Sequence, residues 1–234
     1  MSFNGQTVMI TGAAGNLGRA VSTAFADLGA SLALVDLHRE HLQKVFGQET
    51  DRILFLPANL LDHASVDAAV SQAIDRFKRI DVLCNLAGGF RMGEPVHETT
   101  DETWKFLFDL NTRTVVQTAR AVVPRMLASG GGKIVNIAAY AAQKGAADMG
   151  AYAASKSAVI RLTESMAAEL RGKNVNVNCV LPTIIDTPDN RAAMPKSDPG
   201  RWVAPQDLAA VIVFLASDAA RAVHGAAIPV TALS

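Results

Sequence analysis

Short apolar runs rich in β-branched residues alternate along this chain with longer stretches whose apolar positions recur every three or four residues. The first pattern predicts strands at residues 7–11, 31–35, 53–56, 82–86, 133–138, 175–181 and 227–230. The second predicts helices at 17–28, 38–46, 64–77, 101–128, 151–171 and 205–216. The strand runs are almost continuously apolar, as suits strands covered on both faces. Regular alternation of the two elements predicts an α/β fold. We expect a doubly wound sheet of about seven parallel strands with helices on both faces, in one domain spanning residues 1–234. Asp62 is placed to cap the third helix and Asp101 stands at the start of the next. Pro205 suits a first helical position, with Gln206 and Asp207 near the positive end of the helix dipole. Residues 182–204, rich in Pro, Asp and Thr, are expected to be irregular. So long a loop inside one domain points to a lid over a site.

Composition narrows the function classes. Half of the 234 residues are hydrophobic, enough for a substantial core. With 22 basic and 22 acidic residues the net charge is zero, and no basic run stands out. Nucleic acid is therefore not an expected partner. No apolar run approaches the roughly 18 residues of a membrane span. The opening MSFNGQTVMITG lacks the charged, apolar and small-residue regions of a secretory signal. Cys84 and Cys179 lie in apolar strand-like stretches, as buried reduced thiols do. A cytoplasmic protein is the expectation, and no metal site is expected.

The first strand runs into Thr11-Gly12-Ala13-Ala14-Gly15-Asn16-Leu17-Gly18 and then a helix. Glycines there allow a tight turn and a close approach of backbone N–H groups to a pyrophosphate at the helix N-terminus. The second strand leads to Asp36, 18 residues after Gly18, where a carboxylate can accept hydrogen bonds from ribose hydroxyls. That carboxylate would repel a 2′-phosphate, so NAD(H) is favoured over NADP(H), although Arg39 close by could partly offset the repulsion. Tyr152 and Lys156 stand four apart at the start of a predicted helix, which puts phenol and ammonium on one face. A neighbouring cation lowers a phenol pKa from near 10, so that the phenol can exchange a proton with a carbonyl or alcohol.

These features occur in order with Asn85-Leu86-Ala87-Gly88 after the fourth strand and with Asn111. Together they resemble the short-chain dehydrogenase/reductase family over essentially the whole chain. The resemblance implies roles. Gly12, Gly15, Asn16, Leu17, Gly18 and Asp36 would bind the cofactor, with Asn59 and Leu60 beside its adenine. Asn85, Ala87 and Gly88 would steady the central sheet near the adenosine ribose. Asn111 would hold a water in a proton relay, and Tyr152 would be the acid/base and also touch the bound cofactor. Lys156 would bind the nicotinamide ribose and depress the tyrosine pKa. Pro182, Ile185 and Thr187 would hold the carboxamide. The resemblance further implies a homodimer or homotetramer, built on faces of helices 101–128 and 151–171 that include Val115, Val116, Met166 and Ala167.

Three positions depart from the family pattern. Asn16 stands where the middle glycine belongs, and Asn tolerates positive φ better than most residues. Thr183 replaces the glycine after Pro182, which is expected to narrow the nicotinamide pocket. Ala139, thirteen residues before Tyr152, stands where the family places a catalytic serine. Losing such a donor costs on the order of a hundredfold in rate. Either Tyr140 or Gln143 takes over, or the substrate does not need the donor, or the enzyme is weak or inactive.

The stretch Leu181-Pro182-Thr183-Ile184-Ile185-Asp186-Thr187-Pro188-Asp189-Asn190-Arg191, with Met194, Pro195 and Trp202 after it, is similar to quinonoid dihydropteridine reductases. So are the alanine at 139, the glycine loop, and Ala87-Gly88-Gly89-Phe90. That likeness implies a quinonoid pterin substrate and NADH. The alternative is a lid sequence shared by members with unrelated substrates. The expected reaction is hydride transfer between NAD(H) and a carbonyl, alcohol or quinonoid small molecule. The pocket is expected between Tyr152, the Phe90–Arg91 turn and the 182–204 lid, with Trp202 as a wall or as packing. The rival reading, favoured by Ala139 alone, is a non-catalytic NAD(H)-binding sensor or partner protein.

Overall fold

The computed structural model describes residues Met1–Ser234. Seven strands, β1 (Thr7–Thr11), β2 (Ser31–Asp36), β3 (Ile53–Pro57), β4 (Val82–Asn85), β5 (Gly132–Ile137), β6 (Val175–Pro182) and β7 (Ala227–Val230), form one sheet in the order β3-β2-β1-β4-β5-β6-β7. Every pairing is parallel. Strand order reverses between β1 and β4, and that switch point opens a crevice at the carboxyl ends of the strands.

Side chains alternate across the sheet with the period of two that strands impose. Val8, Ile10, Leu32 and Leu34 pack into one layer with Val21 and Phe25 of α1 (Asn16–Asp27), Leu42 of α2 (Arg39–Phe46) and Ile212 of the last helix. Met9, Ala33 and Val35 face the opposite layer, with Val66 and Val70 of α3 (His63–Phe77). The helices of both layers bury their apolar stripes on the sheet, so the doubly wound architecture follows from the alternation. No helix is long and apolar enough to cross a membrane.

Several helix starts obey local chemistry. The Asp62 carboxylate accepts from the Ala64 amide at 3.0 Å and caps α3. Asp101 is instead the first helical residue of α4 (Asp101–Phe108), and the cap is Thr100, whose hydroxyl accepts from the Thr103 amide at 3.1 Å. The single helix expected over 101–128 is broken. A π-helical turn at Asp109–Arg113 separates α4 from α5 (Thr114–Ala128), and the Thr114 amide reaches back to the Asp109 carbonyl. The extra residue of a π-turn rotates the side chains that follow it, and such turns gather at functional sites. Next come α6 (Gly150–Leu170), α7 (Pro188–Ala193) and α8 (Pro205–Ala216). The segment expected to be irregular thus contains α7, which is capped by Thr187. Its base is closed by a parallel bridge between Ile185 and Val203.

On α1, Ser22 is fully buried and its hydroxyl has no hydrogen-bond partner. Leaving that group unpaired costs about 1–3 kcal/mol, and alanine is also the better helix former. Ser22→Ala is therefore expected to raise the melting temperature by roughly 2–8 °C. A calorimetric scan showing a lower Tm would mean that the hydroxyl does find a partner.

Candidate active site

The turn from β1 into α1 carries no side-chain cap at Gly15, and the first turn of α1 holds no acidic residue. The amides of Asn16, Leu17 and Gly18 therefore point out of the helix as unpaired donors at its positive end. Gly12 takes φ +64°, and a Cβ there would meet the Ala87 backbone at 3.0 Å. A Cβ on Gly18 would sit 2.2 Å from the Gly12 carbonyl, so that glycine lets helix and loop touch. Asn16 has no positive φ; it is the first residue of α1. The substitution needs no left-handed conformation, contrary to the rationale given for it from sequence. This cradle of free amides on bare backbone fits a dinucleotide pyrophosphate.

Asp36 ends β2 and accepts from the Ala14 amide at 3.0 Å and the Leu37 amide at 2.9 Å. It thereby ties the glycine loop to the next strand, with lone pairs left for ribose hydroxyls. Arg39 does not face it. That guanidinium is paired with Glu49 and also donates to the Phe55 carbonyl, which removes the offset expected for a 2′-phosphate. Asn59 and Leu60 follow β3, where the Ala58 amide bonds the Asp36 carbonyl at 2.8 Å. The Asn59 side chain accepts from the Leu61 amide at 3.0 Å.

Behind the crevice a buried polar chain crosses the sheet. Thr118 donates to Asn85, Asn85 donates to Asn136, and Asn136 donates to Thr163, at 2.8, 2.8 and 2.9 Å. Asn85 was anticipated; Thr118, Asn136 and Thr163 were not. The available signal was Asn136 itself, a polar residue inside an apolar strand. Thr11 adds a second tether, accepting from the Leu86 and Ala87 amides at 3.0 and 3.2 Å.

The π-turn brings Asn111 under this edge. Its Oδ1 accepts from the Gly89 amide at 2.8 Å, and its Nδ2 donates to the Gly89 carbonyl and to Ser155 Oγ, both at 3.0 Å. Ser155, another residue not singled out from sequence, donates in turn to the Tyr152 carbonyl at 2.8 Å. A Cβ on Gly88 would lie 3.0 Å from both Asn111 Oδ1 and Lys156 Nζ, so these groups share one small space.

Lys156 is buried and donates from Nζ to the Ile137 carbonyl at 2.9 Å; burial pushes its pKa down to about 8. Tyr152 is partly buried with Phe90 edge-on to its ring, centroids 4.8 Å apart. Burial pushes its phenol up to about 12, the opposite of the depression expected from Lys156. The cause is geometric: the ammonium is turned to a carbonyl, and desolvation dominates the phenol. In this geometry Tyr152 is a neutral phenol at pH 7.

Ala139 is buried at the end of β5 beside Ala138. Tyr140 and Gln143 lie on a short 3-10 turn after it, both exposed, and neither side chain has a hydrogen bond there. The Thr183 hydroxyl donates to the Thr231 carbonyl at 3.1 Å. Pro182 ends β6, and the Ile185 carbonyl accepts from Asn190 Nδ2 at 2.8 Å in the turn capped by Thr187. Trp202 is buried and therefore packing. Val115 and Ala167, read from sequence as surplus surface, are buried within the chain.

The family model described as short chain dehydrogenase matches residues 6–198. The chain is 35% identical to the D-threitol dehydrogenase of Mycolicibacterium smegmatis over 236 residues, which cover 96% of this chain and 90% of that protein. A structure of NAD+-bound xylitol dehydrogenase superposes with a TM-score of 0.90 at 27% identity, covering 99% of this chain and 100% of that one. The 3-ketoacyl-(acyl-carrier-protein) reductase of Brucella melitensis, in complex with NADH, gives 0.88 at 28% identity, with 98% of each chain covered.

Proposed function

This chain belongs to the short-chain dehydrogenase family, and from that membership we propose that it transfers a hydride between NAD(H) and a carbonyl, alcohol or quinonoid small molecule, with Tyr152 as acid/base. The observation that carries the reading is the placement of Lys156 Nζ and Asn111 Oδ1 together beside Gly88, with Tyr152 one turn before Lys156 on α6 and the glycine turn that opens into the free helix N-terminus at Gly15 packed on neighbouring Ala87. A bound nicotinamide would give or take the hydride; the protein's part is to hold and protonate. Asn16, Leu17 and Gly18 amides would bind the pyrophosphate, Asp36 the adenosine ribose, and Asn59 with Leu60 the adenine. Lys156 would hold the nicotinamide ribose. Pro182, Ile185 and Thr187 would hold the carboxamide. Asn85, Ala87 and Gly88 would steady the central edge, Asn85 through Asn136 and Ala87 through Thr11. Tyr152 Oη gives its proton to the reacting oxygen in reduction and takes it back in oxidation.

The NAD+ and NADH named with the two similar structures support NAD(H) here. So do the Asp36 carboxylate and the diversion of Arg39 to Glu49. At 4 Å two unit charges repel by about 1–4 kcal/mol at effective dielectric constants of about 80 to 20. Asp36→Asn should therefore improve NADPH affinity at least about fivefold. Fluorescence titration with NADPH and NADH checks this, and an unchanged ratio would remove Asp36 as the discriminator.

A second copy of this chain is the partner we place on the outer surface of α4 and α5, where exposed Trp104 stacks on Phe108 and Val116 lies open. The unpaired buried thiols of Cys84 and Cys179 suit a reducing, cytoplasmic setting. The deciding experiment is NADH oxidation by purified protein against ketones, quinones and a quinonoid dihydropterin. Binding of NADH without turnover of any acceptor would favour the sensor reading that Ala139 allows.

A further inference from the structure

We propose that the acceptor is a planar, conjugated, largely apolar ring carbonyl of the quinone or cyclic enone type, seated against Phe90, rather than a polyol or a saturated ketone. The inference rests on the hydride-transfer reading above. Around Tyr152 the exposed large side chains are the apolar Phe90, Met92 and Val96, with the Arg91 guanidinium beside them. Phe90 is 55% exposed, Met92 56% and Val96 76%. Phe90 already meets the Tyr152 ring edge-on, leaving the rest of its surface open to a flat partner. Beneath this rim the floor at Ala138 and Ala139 is buried and carries no polar side-chain atom.

Polar groups lining the small cavity beside Tyr152 are mostly engaged. Glu94 accepts from Thr103 Oγ1 and the Thr100 amide, and Thr99 donates to the Pro95 carbonyl. Arg91 lies over the Phe106 ring and pairs with Glu102. Asp148 is the lining side chain left without a partner. A substrate with a hydroxyl on every carbon would lose its hydrogen bonds to water and find only the Asp148 carboxylate and the exposed Arg91 guanidinium in return, an unfavourable exchange. A flat apolar ring loses little and gains the rim.

Hydroxyls near the reacting position are also committed. Ser155 donates to the Tyr152 carbonyl and Ser157 to the Ala142 carbonyl, so neither hydroxyl is free for the substrate oxygen, and the unbonded Tyr140 and Gln143 lie exposed on the 3-10 turn. Reducing a saturated ketone concentrates charge on one oxygen, where a second donor matters most. In a conjugated acceptor, the hydride would leave NADH with its electron pair and bond to a ring carbon conjugated with the carbonyl. The π pair displaced there spreads over the ring and the carbonyl oxygen. That oxygen takes the Tyr152 proton, NADH leaves as NAD+, and solvent reprotonates Tyr152. Dispersed charge gains less from each donor, so the site tolerates alanine at 139.

The test compares 1,4-naphthoquinone with 1-decalone, two acceptors on the same two-ring frame, using NADH and subtracting the uncatalysed rate. Wild type should favour the quinone in kcat/KM. Ala139→Ser should raise the decalone-to-quinone ratio at least about tenfold, because the restored donor acts on localised charge. Phe90→Ala should weaken naphthoquinone binding about three- to tenfold, read by calorimetry without cofactor. Preference of the wild type for decalone or a polyol, or equal gains for both acceptors in Ala139→Ser, would overturn the proposal. If decalone is turned over and Tyr152→Phe stops it, only the acceptor class is wrong. If no acceptor is turned over while NADH binds, the hydride-transfer reading fails as well.

Discussion

Tyr152→Phe is expected to lower kcat by about a hundredfold to ten-thousandfold, the range a positioned general acid contributes. NADH affinity should stay within about twofold, since the substitution keeps the ring and leaves the glycine-loop amides, Asp36 and Lys156 untouched. The substitution is clean for structural reasons. Phenylalanine keeps the ring that meets Phe90 edge-on at 4.8 Å. Tyr152 Oη makes no hydrogen bond within the protein, so none is broken and Tm should hold. Burial keeps the phenol neutral, with its pKa near 12, and a neutral phenol is the form that can give a proton at pH 7. Steady-state kinetics beside a fluorescence titration separates the two effects. An enzyme that keeps its turnover would place the proton donor elsewhere, and Tyr140 on the adjoining 3-10 turn would become the next residue to test.

The sheet was legible in the sequence because its strands are read locally. Val8 and Ile10 facing one layer with Met9 facing the other is a period of two that needs no tertiary knowledge. The Tyr152–Lys156 spacing on one helix was legible for the same reason, four residues apart on α6. Features that depend on contact across the fold were hidden. The gap from Leu110 to Val115 is one residue longer than a helical step, but a single long gap between two otherwise regular apolar runs does not by itself identify a π-turn at Asn111. The partner of Lys156 is a backbone carbonyl, which residue identity does not encode. Val115 and Ala167 were mistaken for surface because burial by a neighbouring helix is a tertiary event. The hydroxyl of Thr183 finds the C-terminal segment, far along the chain from it. What the site needs chemically was written in residue types, and how those residues are oriented was not.

Lys156→Met should cost at least about a hundredfold in turnover, because it removes the cation beside the acid/base. Its larger diagnostic value lies in stability. The ammonium is buried, donates to the Ile137 carbonyl, and forms no salt bridge. Desolvation therefore lowers its pKa from the ordinary 10.5 to about 8. Between those values the unfolded chain keeps a proton that the folded chain has shed. The stability from this group is thus present above about 10.5 and lost as the pH falls through about 8. Tyr152 works in the other direction, but only above its ordinary value of 10, where the unfolded phenol ionises before the folded one. Burial also pushes up the thiols of Cys84 and Cys179, which makes stability pH-dependent in this range as well. The lysine is therefore isolated by the difference between wild type and variant in urea unfolding between about pH 7 and 10. Over that window wild type should gain about 2–3 kcal/mol relative to Lys156→Met. The variant leaves the Ile137 carbonyl unpaired, a roughly constant cost that shifts its curve without tilting it. Parallel curves would mean that the amine is solvated in the folded protein. A solvated ammonium could still attract a ribose hydroxyl, but the low-dielectric site that strengthens its field on the reacting oxygen would be gone. The slope of stability with pH therefore tests the electrostatics of the active site with no substrate present.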